Sequence, residues 1–371
     1  LKIKKNKTII SSFDPNFYCD NSKYLFEYCS KKKMDIYWFT NSLKIQNYLK
    51  KRKLKYISYN NFLHLFLIAL KTKIVINSGS NYFNCFGFFF KKNIVKISIG
   101  HGMGNKLVLA KYINTNNYEN YSKFNYVNFT SDYSVDKIAL QNHKIPKEKI
   151  IKFGYPRMHS LNIKVNKELK KKEIKKYYKN YNGEKILLYT PTWRPYSYNL
   201  PILNLKNFKI KLFNNFLKKN KIILFFTVHD ALLPKISKRL LGMENFRFID
   251  RNNFPLFDTT YFLNFVDILL NDCSTTSTEF CILKRPQLFI FPDYKKYKKA
   301  KGFVGNYFGE LPGKFIKNSI NLEFEVLNLL KKKNLYLHNY NKKINENLTK
   351  YYDLKKHDAN KKFYLFIKKF I

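Results

Sequence analysis

The sequence predicts an α/β protein of two doubly wound domains that face each other across a cleft. Three observations lead there. Short apolar runs alternate with helical stretches along most of the chain, which is the pattern of βα repeats on parallel sheets. The runs lack polar alternation, as strands buried on both faces do. A length of 371 residues suffices for two cores, and the series pauses once, at the highly charged helical segment from Asn166 to Asn180.

Thr8-Ile9-Ile10 reads as the first strand, followed by a helix from Asn21 to Cys29 with Asn21 or Ser22 as its cap. Asp35 to Phe39 is the next strand, and a Lys-rich helix starts at Ser42. The helix Phe62–Leu70 leads into Ile74-Val75-Ile76, a strand ending in Asn77-Ser78-Gly79-Ser80. Ile94 to Ile99, broken only by Lys96 and Ser98, ends in the glycine-flanked His101. Tyr126 to Phe129 is a short strand, and Ile151 to Arg157 is the exit from the first domain. Beyond the charged segment come Ile186 to Tyr189, followed by Thr190-Pro191-Thr192-Trp193-Arg194, and Ile222 to Val228, followed by His229-Asp230. The expected divisions are 1–158, 159–345, and amphipathic helices over 346–371 that pack back on the first domain.

The second domain is organised around Val266 to Asp293. Ile268-Leu269-Leu270 and Leu288-Phe289-Ile290-Phe291 are buried parallel strands, and the turn between them carries Asp272, Ser274, Thr275, Thr276 and Ser277. A turn at the carboxyl end of such a strand is where open α/β sheets bind ligands. Hydroxyls and backbone N–H groups at a helix start suit a phosphate, and an ordinary N-cap in a polar turn explains the same residues.

Hydrophobic residues at 45% exclude a disordered chain. The formal charge of +45 invites a nucleic-acid reading. That reading is set aside, because the charge is nearly all Lys, is scattered in twos and threes, and rises together with Asn, Ile, Tyr and Phe as an AT-rich coding bias would make it. An attraction to anionic lipid or to a polyphosphate product survives. Five cysteines without metal-ligand spacing suit a reducing compartment. No signal peptide opens the sequence at Leu1, and the longest apolar run, Phe62 to Leu70, is interrupted by His64 and is too short to span a bilayer. A cytoplasmic protein, resting on the inner face of the membrane without crossing it, is expected.

His101 lies between Gly100 and Gly102, with Lys106 five residues on. Glycines permit a sharp turn and close approach to a ligand, and a histidine there can serve as a general base near neutral pH. A turn histidine bonded to backbone fits the same sequence. His229 ends an apolar strand in the other domain, where it can donate to a phosphate oxygen. Arg194 can hold a phosphate bidentately or form a surface salt bridge. His64, His143, His159, His338 and His357 lack such settings. No GxxxxGK(S/T), strand-linked GxGxxG or GxSxG occurs. No Asp-x-Asp pair occurs either, which argues against carboxylate-held Mg²⁺ or Mn²⁺.

In order, these stretches resemble the CDP-glycerol glycerophosphotransferase family, which builds teichoic-acid and capsular polyol-phosphate chains. The motifs are CDNSKYLFEY at 19–28, HGMGNK at 101–106, FGYPRMHSL at 153–161, YTPTWR at 189–194, and His229 at a strand end. NDCSTTSTEF at 271–280, KRP at 284–286, ELPGKF at 310–315 and HDANKKF at 357–363 follow. The family often has Thr-Pro where this chain has Met103-Gly104, and an aromatic where it has Cys273. The resemblance implies a GT-B-like fold of two Rossmann-like domains, with the donor held by the second. It implies His101 as the base for the acceptor hydroxyl, and His229, the Ser274–Ser277 helix start and Arg194 as stabilisers of the pyrophosphate while CMP leaves. Asp272 joins the donor phosphate set, and Gly102, Lys106, Arg157, Thr192 and Glu279 are further cleft candidates. The implied donor is CDP-glycerol or another CDP-polyol and the acceptor a polysaccharide or lipid-linked polymer, with no cofactor, metal or nucleic acid. Two rivals stand beside it: a GT-B glycosyltransferase using CMP-sialic acid or a UDP-sugar, and a non-catalytic polyanion- or membrane-binding protein.

Overall fold

Two parallel sheets, each covered on both faces, carry the molecule. The computed structural model describes residues 5–79, 94–104, 121, 123–161, 163–194, 196–197, 199–228, 242–353 and 358–371. The first sheet contains β1 (Lys7–Ser11), β2 (Ile36–Phe39), β3 (Tyr56–Ile57), β4 (Thr72–Asn77), β5 (Val95–Ser98), β6 (Tyr126–Phe129) and β7 (Ile150–Lys152), in the order β3-β2-β1-β4-β5-β6-β7. The second contains β8 (Lys185–Thr190), β9 (Ile222–Phe226), β10 (Phe246–Phe248), β11 (Ile268–Asn271), β12 (Gln287–Ile290) and β13 (Lys314–Ile316), in the order β10-β9-β8-β11-β12-β13. Among the described residues the paired strands run parallel, for example Leu270 beside Leu288 and Ile9 beside Val75. Both sheets reverse strand order at their first strand, and the crevice outside the carboxyl ends at that point is where such sheets place ligands.

The apolar runs form these strands because both faces are filled. Ile10, Ile74, Ile76 and Ile97 pack on one face of the first sheet, and Ile9, Val75 and Val127 on the other. Leu187, Leu224, Leu270 and Leu288 face one core of the second sheet, and Ile186, Leu188, Ile223 and Leu269 the other. β3, β10 and β13 are edge or near-edge strands of two or three residues, too short to show in the hydrophobic pattern. Ile150–Lys152 is the last strand of the first sheet, so the sheet extends into the stretch expected to be only its exit.

The expected division at 345/346 falls inside one continuous helix, Lys333–Tyr351. Tyr336 and Ile344 belong to the core of the second sheet, while Tyr351 joins that of the first. Thr130 and Ser131 tie its last turn to the first domain by donating to the carbonyls of Tyr351 (2.5 Å) and Lys350 (2.7 Å). The helix Ala359–Lys368 buries Phe363 and Ile367 among Ile10, Ile97 and Ile99, so the chain's end is part of the first domain's core. The cap of Asp20–Lys31 also differs from expectation. Asn21 donates to the Gly100 carbonyl (2.8 Å) and Ser22 to that of Ser11 (2.6 Å), stitching the helix start to strand ends. Among the described residues, no helix is long and apolar enough to cross a membrane.

Candidate active site

The carboxyl ends of both sheets open onto a cleft of ≈ 890 Å³. Phe13, His101 and Gly102 line it from the first domain, and Thr192, Ser274 and Thr275 from the second. The loop after β5 reaches across because two glycines allow it. Gly100 has φ +79°, and a Cβ there would lie 2.7 Å from the Tyr155 ring. A Cβ on Gly102 would lie 2.5 Å from Thr275 Oγ1, so the histidine loop touches the hydroxyl turn of the other domain. Thr278 Oγ1 completes the junction by donating to the Met103 carbonyl (2.7 Å).

His101 stands in this cleft with its side chain 56% exposed, its ring 4.5 Å from that of Phe13. Its Nδ1 lies 2.5 Å from Oδ2 of Asp20, which is 4% exposed. Burial alone would push the Asp20 carboxyl up, but Arg157 and His101 outweigh it and hold the group down at about 2. An ionised Asp20 only accepts, so Nδ1 carries the proton and Nε2 is left to accept one. Asp20 adopts φ +67°, a conformation that costs roughly 1–3 kcal/mol and persists where surroundings over-determine it. Sequence reasoning missed Asp20, whose histidine partner lies 81 residues along the chain.

On the opposite wall, Ser274, Thr275 and Thr276 line the cleft, with Ser274 Oγ 3.1 Å from Thr276 Oγ1. The N–H groups of Cys273 and Ser274 donate to Asp272 or Asn271 side chains, so the turn presents hydroxyls more than the free N–H groups expected of it. Asp272 is fully buried and accepts from Thr192 N and Oγ1 and from Arg194. It shapes the turn and is not among the residues that line the cleft. Arg194, 2% exposed, corrects the expectation of a phosphate clamp: its guanidinium donates to Asp272, to both Asp293 oxygens and to the Thr192 carbonyl. Phe291 and Tyr297 rings lie 4.9 and 5.0 Å from its centre. Burial opposes its charge, yet Asp272 and Asp293 hold its pKa above the ordinary arginine value. Ser277 is likewise turned away, donating to Gln287 Oε1 (2.8 Å) in the core.

A model of the family described as CDP-Glycerol:Poly(glycerophosphate) glycerophosphotransferase matches residues 1–367. The chain belongs to that family. It is 30% identical over 217 residues to the teichoic acid poly(glycerol phosphate) polymerase of Staphylococcus epidermidis, across 58% of this chain and 29% of that one. It is also 30% identical over 206 residues to the teichoic acid glycerol-phosphate primase of Bacillus subtilis, across 56% of this chain and 50% of that one. The chain thus spans half or less of the length of these two relatives. The wall teichoic acid polymerase TagF superposes with a TM-score of 0.75 at 22% identity, over 99% of this chain and 89% of that one, which shows the GT-B-like fold.

In this glycerophosphotransferase-family chain, Arg157 and Glu279 both line the cleft, yet both are buried and paired with each other. Thr192 lines the cleft while its Oγ1 is held by Asp272. Lys106 and His229 lie outside the described residues. Two cations that sequence reasoning missed, Arg251 and Lys301, line the second domain's side. Arg251 spans the domains, its guanidinium 4.0 Å from the Phe17 ring and 3.2 Å from Cys19 Sγ. Lys301 lies 5.1 Å from the Trp193 ring. The first is one arginine in a loop and the second one lysine among many, so neither carried a signal. Among the described residues, no three His, Cys, Asp or Glu side chains are grouped to hold a metal ion.

Proposed function

We propose that the chain transfers glycerol phosphate, or another polyol phosphate, from a CDP-polyol to a hydroxyl of a growing teichoic-acid-like or capsular polymer, with release of CMP. The observation that carries this reading is the contact of the His101 loop with the Thr275 turn, where an imidazole bonded to Asp20 shares the cleft with a row of hydroxyls. His101 Nε2 takes the proton of the acceptor hydroxyl. The acceptor oxygen then bonds to the β-phosphorus as the bond from that phosphorus to the oxygen of CMP breaks. Charge on the departing phosphate is met by the hydroxyls of Ser274, Thr275 and Thr276, and by Arg251 and Lys301 in the place first expected of Arg194. Support comes from the family match, from relatives that are teichoic acid polymerases and primases, and from a TagF structure obtained after a CDPG soak. The lysine-rich surface supports peripheral contact with anionic lipid on the cytoplasmic face, where such a donor and a lipid-linked acceptor would meet.

The test is incubation with acceptor and CDP-glycerol, CMP-sialic acid or UDP-sugars in turn, following CMP or UDP. CMP release with CDP-glycerol alone, persisting in excess EDTA, is expected. Release from a nucleotide sugar alone would refute the reading.

A further inference from the structure

A chain of buried ion pairs runs from the acceptor-side base to the donor-side helix. His101 Nδ1 donates to Oδ2 of Asp20, and Oδ1 of the same carboxylate accepts from Arg157 Nη1. Arg157 Nη2 donates to Oε1 of Glu279, on the helix Thr276–Phe280 that follows the hydroxyl turn. Thr260 Oγ1 donates to the other Glu279 oxygen at 3.0 Å. Asp20, Arg157 and Glu279 are 4%, 5% and 3% exposed, so the pairs are largely shielded from solvent. Asp20 and Arg157 each use two atoms to join two neighbours, and the Arg157–Glu279 pair crosses between the domains. Direct contact of Gly102 with Thr275 couples the same two elements sterically.

We propose that Arg157 and Glu279 are positioning residues that orient the His101 imidazole through Asp20, so that the acceptor-side base is set by the helix carrying the donor turn. The kinetic part of this proposal rests on the polyol-phosphate transfer reading; its spectroscopic part does not. Among the described residues, the titratable groups against the chain include Tyr155, Tyr352 and Cys19. Burial pushes all three up, Cys19 to about 12, so they stay neutral where an imidazole titrates. Beyond Cys19 stand Arg251 and the Lys23–Asp258 ion pair. Charge changes at Arg157 and Glu279 are therefore read at the His101 ring itself.

The variants Glu279→Gln and Arg157→Gln test this by the pH profile of kcat and by the NMR titration of the His101 ring. Removing the Glu279 charge disfavours the imidazolium, so the acid limb and the ring titration move to lower pH. Removing the Arg157 charge moves both to higher pH, each by about half a unit or more. In Glu279→Gln, kcat falls about tenfold with the donor KM unchanged, as for a lost orienting partner. Arg157→Lys recovers part of the activity lost in Arg157→Gln. If Arg157→Gln does not fold, Glu279→Gln, which keeps an acceptor for Arg157, decides alone. A lowered melting temperature with both titrations and kcat unmoved would overturn the proposal and leave a purely structural ion pair. If the wild type releases no CMP from CDP-glycerol, the transfer reading fails instead, and the ring titration still decides the coupling.

Discussion

His101 and Arg194 occupy matching places, each just beyond a central strand and each against a buried carboxylate, yet they end up in opposite roles. The imidazole meets one carboxylate through one nitrogen and keeps the other nitrogen in the cleft. The guanidinium meets two carboxylates and a carbonyl, and is sealed beneath the turn it helps to shape. The number of partners that the fold supplies, more than the residue type, decides whether a polar group serves the ligand or the scaffold. A half-satisfied group at a cleft is available for chemistry, whereas a buried guanidinium with four of its five donors engaged has little left to offer.

The largest effect that tests this contrast is on stability. Arg194→Ala leaves Asp272 and Asp293 without their cation and should cost about 3–5 kcal/mol, read from denaturant unfolding. Arg194→Lys should recover only part, because an ammonium cannot bridge two carboxylates as a planar fork does. A loss under about 1 kcal/mol together with a raised donor KM would return Arg194 to the phosphate.

His101→Ala should do the reverse, lowering kcat by about 10² or more while the melting curve and CDP-glycerol affinity stay put. Activity within a few-fold of wild type would remove the imidazole from the mechanism.

The hydroxyl turn lies between these extremes. Ser274→Ala with Thr275→Ala removes two hydrogen bonds to a charged ligand, each worth about 1.5–3 kcal/mol, so the donor KM should rise well over tenfold. A lower Tm with the donor KM unchanged would make these residues a cap, worth about 1 kcal/mol each.

The smallest effect is seen in acid. Asp20 has its pKa lowered from 3.8 to about 2, so its contribution to stability is complete above the unfolded value and is lost as pH falls from about 4 to 2. The stability gap between wild type and Asp20→Asn, about 2 kcal/mol at neutral pH, should close over that window. A gap independent of pH would mean that the Asp20 charge is not what holds the loop.

Much of the fold was legible because its signals are local. Runs such as Ile268-Leu269-Leu270 and Ile222 to Phe226 announce doubly buried strands by composition alone, and Gly100 and Gly102 mark a loop that must turn tightly. The short edge strands Tyr56–Ile57 and Phe246–Phe248 were not legible, since two or three residues carry no periodicity. The sequence by itself thus determined the two parallel sheets, the cleft at their carboxyl ends, the presence of a histidine and a hydroxyl turn at its rim, and the family. Tertiary structure alone decided which polar groups face that cleft. Asp20 lies 81 residues from His101, Asp272 and Asp293 lie 78 and 99 from Arg194, and Glu279 lies 122 from Arg157. Charge pairing in a buried site acts over a few ångströms of space, and chain separations of that size leave no trace in local pattern.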